Sequence, residues 1–386
     1  MTDVFIADGV RTAVGPFDRD ASTRHAVKLA EKVVRTAVEL TGIDPGEVDA
    51  LVLASSGHPE TAARTAAGKA AQRAGLSKKA GHSVVTTGAT TGMDAITAAR
   101  SMIASGVADV VVAAGVELSA HGPEVPAAAR LWRWPLSGEA EPPTESRTRF
   151  RAAVQLAERL AEQRGFTREV LDEYAWKSYE RAKVALEKER LAGEIVAFGE
   201  VEHDAGLRAA TTMRTLGDLQ PICGAGGVIT TGNASSLDNG AAAVVLLSGR
   251  YVAQRDLRPR ARIVAMADAK LDAGSAEIGQ VAAAREVLSR SEWTVDRLDS
   301  VELDEISAAH FLACIDDLGL FTDTVNVDGG AIALGTPFAC MGPRLAVTLM
   351  RRLEHSHGRQ GLMTTAGAEQ ASAMLLERVT PRHWRH

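Results

Sequence analysis

Cysteine is almost missing from this 386-residue chain: three occur, Cys223, Cys314 and Cys340, far apart and odd in number. That excludes a disulfide framework and a CxxC metal site, and it makes a reducing cytoplasm the expected location. Aromatic side chains are scarce at 4%, which suits tight βα packing better than a large aromatic ligand cage. A basic excess is lacking too: the formal net charge is −6, against a sequence-independent grip on nucleic acid phosphates. No apolar run approaches the roughly 20 residues of a membrane span, and residues 1–6 (MTDVFI) lack the basic start of a leader, so no membrane association is expected.

What is present is a 46% hydrophobic, 24% charged composition, enough for two domain-sized cores. Strand and helix patterns alternate from the start. Residues 4–7 read as a buried strand and 11–17 as an irregular loop; helix follows over 25–40, strand over 48–54 and helix over 61–74. Residues 108–115 (ADVVVAAG) form a continuous apolar run, as expected of a strand covered on both faces. From 119 to 227 prolines and charges gather around two helical stretches, 151–164 and 168–190, which read as an excursion over the α/β body. The α/β grammar then resumes, with strands predicted over 241–247, 261–267, 300–303, 361–366 and 371–377, and helices over 276–288, 308–318 and 343–353.

The chain is organised around residues 83–96 (SVVTTGATTGMDAI), where a β-branched run turns through small residues into a helix. Such an elbow aims backbone N–H groups at a site. The residue at the turn is Ala89, which has no reacting side chain.

Four segments in order resemble the thiolase family: residues 3–15 (DVFIADGVRTAVG), 108–117 (ADVVVAAGVE), 230–242 (TTGNASSLDNGAA) and 326–335 (NVDGGAIALG). The opening and the Gly-Met-Asp-Ala helix start are most similar to its β-ketoadipyl-CoA branch. The resemblance implies an α/β thiolase fold, with two βαβαβαββ halves stacked as a five-layered body plus a loop domain. It places the first half at 1–118 and 228–250, the loop domain at 119–227 and the second half at 251–386. It also implies a homodimer or dimer of dimers, with coenzyme A thioester as substrate or ligand and no tightly bound cofactor.

In that family a cysteine at the elbow is the nucleophile, a histidine activates it and a second cysteine near the C-terminus is acid and base. The matching positions here hold Ala89, Thr336 and Ala366, and the family's NEAF is Asp304-Glu305-Ile306-Ser307. The expectation from these residues is an acyltransferase or acyl-thioester-processing enzyme working without a cysteine nucleophile. The backbone N–H of Ala89 would polarise the thioester carbonyl, and Asp304, Glu305 and His310 would supply acid and base. The alternative is a catalytically silent subunit that binds acyl-CoA or scaffolds a catalytic paralogue. Structural readings stand beside these roles: Asp304 as a helix cap, His310 as a core histidine, Thr336 as a packing residue and Cys340 as a buried, inert thiol. For the ligand, Ser235 matches the serine that lies near the pantetheine arm in the family, and Arg147 and Arg149 belong to a basic stretch suited to phosphates. Residues 218–221 (DLQP) stand where the family has a basic KLRP, which leaves an acyl-carrier-protein thioester as a second substrate form.

Overall fold

A computed structural model of the chain describes residues 2–15, 23–56, 60–88, 90–118, 145–199, 201–204, 206, 211–236, 238–271, 278–367 and 370–380. The first half contributes β1 (Val4–Thr12), α1 (Thr23–Thr41), β2 (Ala50–Ser56), α2 (Glu60–Arg73), β3 (Gly81–Val85), α3 (Thr91–Ala104) and β4 (Val110–Glu117). The chain later supplies α4 (Glu145–Arg164), α5 (Arg168–Glu187), β5 (Ile195–Val196) and the short α6 (Met213–Gly217), then returns as β6 (Gly240–Ser248) and α7 (Gly249–Arg255). The second half consists of β7 (Ala261–Lys270), α8 (Gly279–Ser289), β8 (Ser300–Leu303), α9 (Ala308–Leu318), α10 (Ala331–Leu334), α11 (Met341–His355), β9 (Gln360–Ala366) and β10 (Gln370–Arg378).

The strands run in the order β3-β2-β4-β6-β1, and then β7-β10-β9-β8. The two groups join edge to edge through two residue pairs only, Phe5 with Arg262 and Ile6 with Ala261. Within the first, β2 is parallel to β3 and β4 while β6 is antiparallel to β4 and β1; within the second, β8 is parallel to β9 and β10 is antiparallel to β9 and β7.

Period-2 alternation sorts the strand side chains into separate cores. Val110, Val112 and Ala114 of β4 face α1 and α2 together with Leu51 and Val245. Val111 and Ala113 face the opposite way, into a middle layer with Ile96 of α3, Leu345 of α11 and Met363 and Met374 of the second sheet. On the far side, Ala371 and Ala373 pack with Ala284 of α8, Phe311 of α9 and Leu171 of α5. Helices therefore lie outside, between and outside two sheets, giving the five layers expected. The unbroken apolar run of β4 is explained by burial on both faces.

One local expectation is corrected. Residues 11 and 12 belong to β1 rather than to a loop. The Arg11 guanidinium is buried and satisfied from far along the chain, by Glu194 at 2.6 Å and by both oxygens of Asp204 at 2.7 and 2.9 Å.

Helix ends follow ordinary capping chemistry. The Thr167 and Ser248 side chains accept from Val170 N and Tyr251 N at the starts of α5 and α7, and Gly319 closes α9 in the left-handed region at φ 64°. Ser307 caps α9 through His310 N at 3.3 Å and also meets His310 Nδ1 at 2.9 Å. Ser307→Ala is expected to cost about 1–2 kcal/mol, read as a lowered urea midpoint; an unchanged midpoint would show that the cap contributes nothing.

Candidate active site

The elbow opens where β3 ends at Val85 and α3 begins at Thr91. Gly88 sits at φ 127°, a conformation costly for any residue with a Cβ. Its N–H donates to Thr91 Oγ1 at 2.7 Å, and the Thr91 hydroxyl donates back to the Gly88 carbonyl. The Thr87 and Thr90 hydroxyls both donate to one oxygen of Asp94, a turn into α3. Thr90 and Thr91 are thus occupied in holding the turn. Ala89, between these partners, lies outside the described residues.

The N-terminus of α3 packs closely against the N-terminus of α11. A Cβ on Gly92 would come 2.8 Å from the Ala339 carbonyl oxygen, and one on Gly342 would come 2.4 Å from the Gly92 carbonyl carbon. On the neighbouring strand, a Cβ on Gly115 would lie 2.1 Å from Ala339 O. Close backbone approach is what these three glycines provide.

Leading into α11, Thr336 is buried, its N–H bonded to Ser236 O at 2.9 Å and its hydroxyl without a partner. The preceding residue, Ser235, is also buried; its N–H and hydroxyl both donate to Ile306 O, at 3.1 and 3.3 Å. Residues 235–236 therefore stitch the Thr336 segment to the Asp304–Ser307 turn.

Parallel pairing of Leu303 with Thr364 brings Asp304 to the end of β9, with Asp304 N donating to Thr364 O at 3.1 Å. Ala366 ends β9 at that level, so the structure places Asp304 and Ala366 together. Both Asp304 oxygens are buried without a hydrogen-bond partner; the Ala366 N–H approaches them without closing a bond. Burial raises this carboxyl to about 7, against the opposing pull of the Arg344 charge and the Ala366 N–H. The helix-cap reading of Asp304 does not hold, because Ser307 does the capping.

Glu305 stands beside it in sequence but is differently placed. Its carboxylate accepts from the Tyr174 hydroxyl, Ser178 Oγ at 3.0 Å, Asn326 Nδ2 at 2.7 Å and Ile332 N at 3.1 Å. These donors come from α5, the 326 segment and α10, so Glu305 is a buried tie between elements. Gly330 makes room for it: a Cβ there would fall 1.9 Å from the Glu305 carboxyl carbon. His310 is buried behind Ser307, and burial lowers it to about 4, so its ring is neutral at pH 7.

Cys340 is buried, with its thiol pushed well above the ordinary range by desolvation, which suits packing rather than nucleophilic attack. Arg147 and Arg149 fall on the backbone of α4, and their side chains lie outside what is described.

Sequence reasoning did not single out Arg344. It is buried on α11, with Nη1 on Met341 Sδ at 3.6 Å and Nε unpartnered, and its charge acts on both Asp304 and Glu302. A lone arginine within the mostly apolar run 341–350 (MGPRLAVTLM) was the available signal.

Comparisons with known proteins cover nearly the whole chain. The family models described as "Thiolase, N-terminal domain" and "Thiolase, C-terminal domain" match residues 4–250 and 257–378. The chain is 34% identical over 403 residues to a β-ketoadipyl-CoA thiolase of Pseudomonas aeruginosa, covering 98% of this chain and 99% of the relative. It is also 34% identical over 409 residues to an acetyl-CoA acetyltransferase of the same organism, covering 98% and 100%. A crystal structure of the acetyl-CoA acetyltransferase of Bacillus anthracis superimposes with a TM-score of 0.87 at 30% identity, covering 98% and 99%.

These relatives overturn the expectation, built on Ala89, Thr336 and Ala366, of a cysteine-independent acyl-thioester enzyme or a silent subunit. Proteins sharing a third of their residues over 98% of the chain are named as a thiolase and an acetyltransferase. Three positions were too narrow a base for assigning a different activity. Among the described residues no helix is long and apolar enough to cross a membrane.

Proposed function

The chain belongs to the thiolase family, and from that premise we propose that it transfers acyl groups between coenzyme A thioesters, as the names of its relatives describe. The observation that carries this reading is 34% identity over 98% of the chain with a β-ketoadipyl-CoA thiolase and with an acetyl-CoA acetyltransferase. The geometry is compatible with it. The N-terminus of α3, the Thr336 segment and the ends of β8 and β9 are tied into one region by residues 235–236 and by the glycine contacts of α11. A thioester carbonyl set against the start of α3 would meet backbone N–H groups, whose stabilisation of a developing oxyanion is worth about 3–4 kcal/mol per donor.

The reading includes a coenzyme A thioester as substrate with no tightly held cofactor, Ser235, Arg147 and Arg149 on the ligand side, a homodimer or dimer of dimers, and a cytoplasmic location. Incubated with coenzyme A and either 3-oxoadipyl-CoA or acetoacetyl-CoA, the protein should release acetyl-CoA and the acyl-CoA shortened by one acetyl unit, as read by chromatography with mass detection. Recovery of both substrates intact at stoichiometric protein would overturn the proposal.

A further inference from the structure

We propose that Asp304 is a catalytic acid–base group that moves the proton on the carbon next to the carbonyl of a bound acyl-CoA thioester. This rests on the reading of the site as one for coenzyme A thioesters, and it adds a proton carrier that none of the comparisons assigns.

The observation is a missing partner. A buried carboxyl left without hydrogen bonds costs several kcal/mol, and folded proteins rarely tolerate one. Asp304 has both oxygens in that state, at 1% exposure, although donors are close in the chain. Gln280 illustrates the point: its Nε2 bonds the Asp304 main-chain carbonyl at 3.0 Å and Thr364 Oγ1 at 3.1 Å, leaving the carboxyl alone. The neighbouring Ala366 has only a methyl side chain and brings its N–H near the carboxyl without closing a bond, and the Thr336 hydroxyl, in the segment tied to this turn through residues 235–236, is unpartnered as well.

Other acid–base candidates are occupied or mismatched. The Glu305 oxygens accept four donors, and His310 is held on Ser307 with its basicity lowered by burial. The charges that face Asp304 are Arg344 from α11, which favours the carboxylate, and Glu305, which disfavours it, and the group is poised near neutrality, where proton exchange in both directions is efficient.

The step balances without a co-reactant. The Asp304 carboxylate takes a proton from the α-carbon. The electron pair of the broken C–H bond forms the enolate, whose negative charge rests on the carbonyl oxygen. In the reverse direction the Asp304 carboxyl returns the proton and the C–H bond re-forms.

The test separates this step from acyl transfer. In heavy water, wild-type protein incubated with acetyl-CoA should place deuterium in the acetyl methyl group, detected by mass spectrometry. Asp304→Asn should slow incorporation about 100-fold or more while binding acetyl-CoA with an unchanged Kd by calorimetry. Incorporation by Asp304→Asn at the wild-type rate overturns the proposal, as does a wild-type protein that binds acetyl-CoA and exchanges nothing. Deuterium exchange that Asp304→Asn loses, without thiolysis of either 3-oxoacyl-CoA, upholds Asp304 and sinks the acyl-transfer reading; thiolysis without exchange does the opposite.

Discussion

At pH 8 the Asp304→Asn variant is expected to be about 2–4 kcal/mol more stable than wild type, with the gain fading to nothing as the pH falls to about 4. The sign follows from linkage. In the unfolded chain an aspartate titrates near its ordinary value of about 3.9, whereas burial raises the folded carboxyl to about 7. The folded state therefore holds its proton more tightly. Below the unfolded value both states are protonated and the residue carries no penalty. Between about 4 and 7 the unfolded chain ionises while the folded one resists, so stability drains away as pH rises, and above 7 the loss is complete. Three units at about 1.4 kcal/mol each give about 4 kcal/mol, reduced by the cost of burying an unpaired amide in place of the acid. Urea titrations of both proteins at intervals from pH 4 to 8 measure the difference. A constant offset, or a variant that loses ground as pH rises, would mean that Asp304 has partners when folded.

The second large effect concerns space. Gly115→Ala should destabilise by about 3 kcal/mol or more, enough to remove much of the folded population of an ordinary domain. The added methyl would meet Ala339 O at 2.1 Å and Cys340 Cα at 2.6 Å. Both are backbone atoms, so no rotamer change relieves the clash, and Gly115 is fixed in β4 by pairing with Ala54 on one side and Ala242 on the other. The control is Gly217→Ala at the end of α6. There a Cβ meets nothing within 4 Å and the backbone is not in the left-handed region, so a neutral or slightly stabilising result is expected. Matched thermal or urea melts decide the matter; a Gly115→Ala protein within about 1 kcal/mol of wild type would show that the packing of β4 against residues 339–340 yields.

Much of the fold was legible because local pattern and global packing agree. The run at 108–115 is apolar throughout because β4 has a core on each face, and α9 was bounded correctly because Ser307 starts it and Gly319 stops it. Legibility failed where a residue's partners lie far away in sequence. Arg11 looked like a loop residue until Glu194 and Asp204 arrived from beyond α5. Glu305 has the side chain of a general base, but Tyr174, Ser178, Asn326 and Ile332 make it a structural tie. Asp304 and Ala366, by contrast, could be nominated separately from motif positions, but their adjacency depends on the parallel register of β8 and β9, which no short segment encodes.

The two-pair seam between β1 and β7 also bears on how the protein comes apart. So short a junction suggests two independent bodies, but α3 from one half and α11 from the other occupy the same interior slab, flanked by Val111 and Val244 on one side and Met363 and Met374 on the other. Neither half owns a finished hydrophobic interior. Each is the other's solvent shield, so the chain should melt in a single cooperative transition, and a nascent first half must wait for the second to emerge before its inner face is dry.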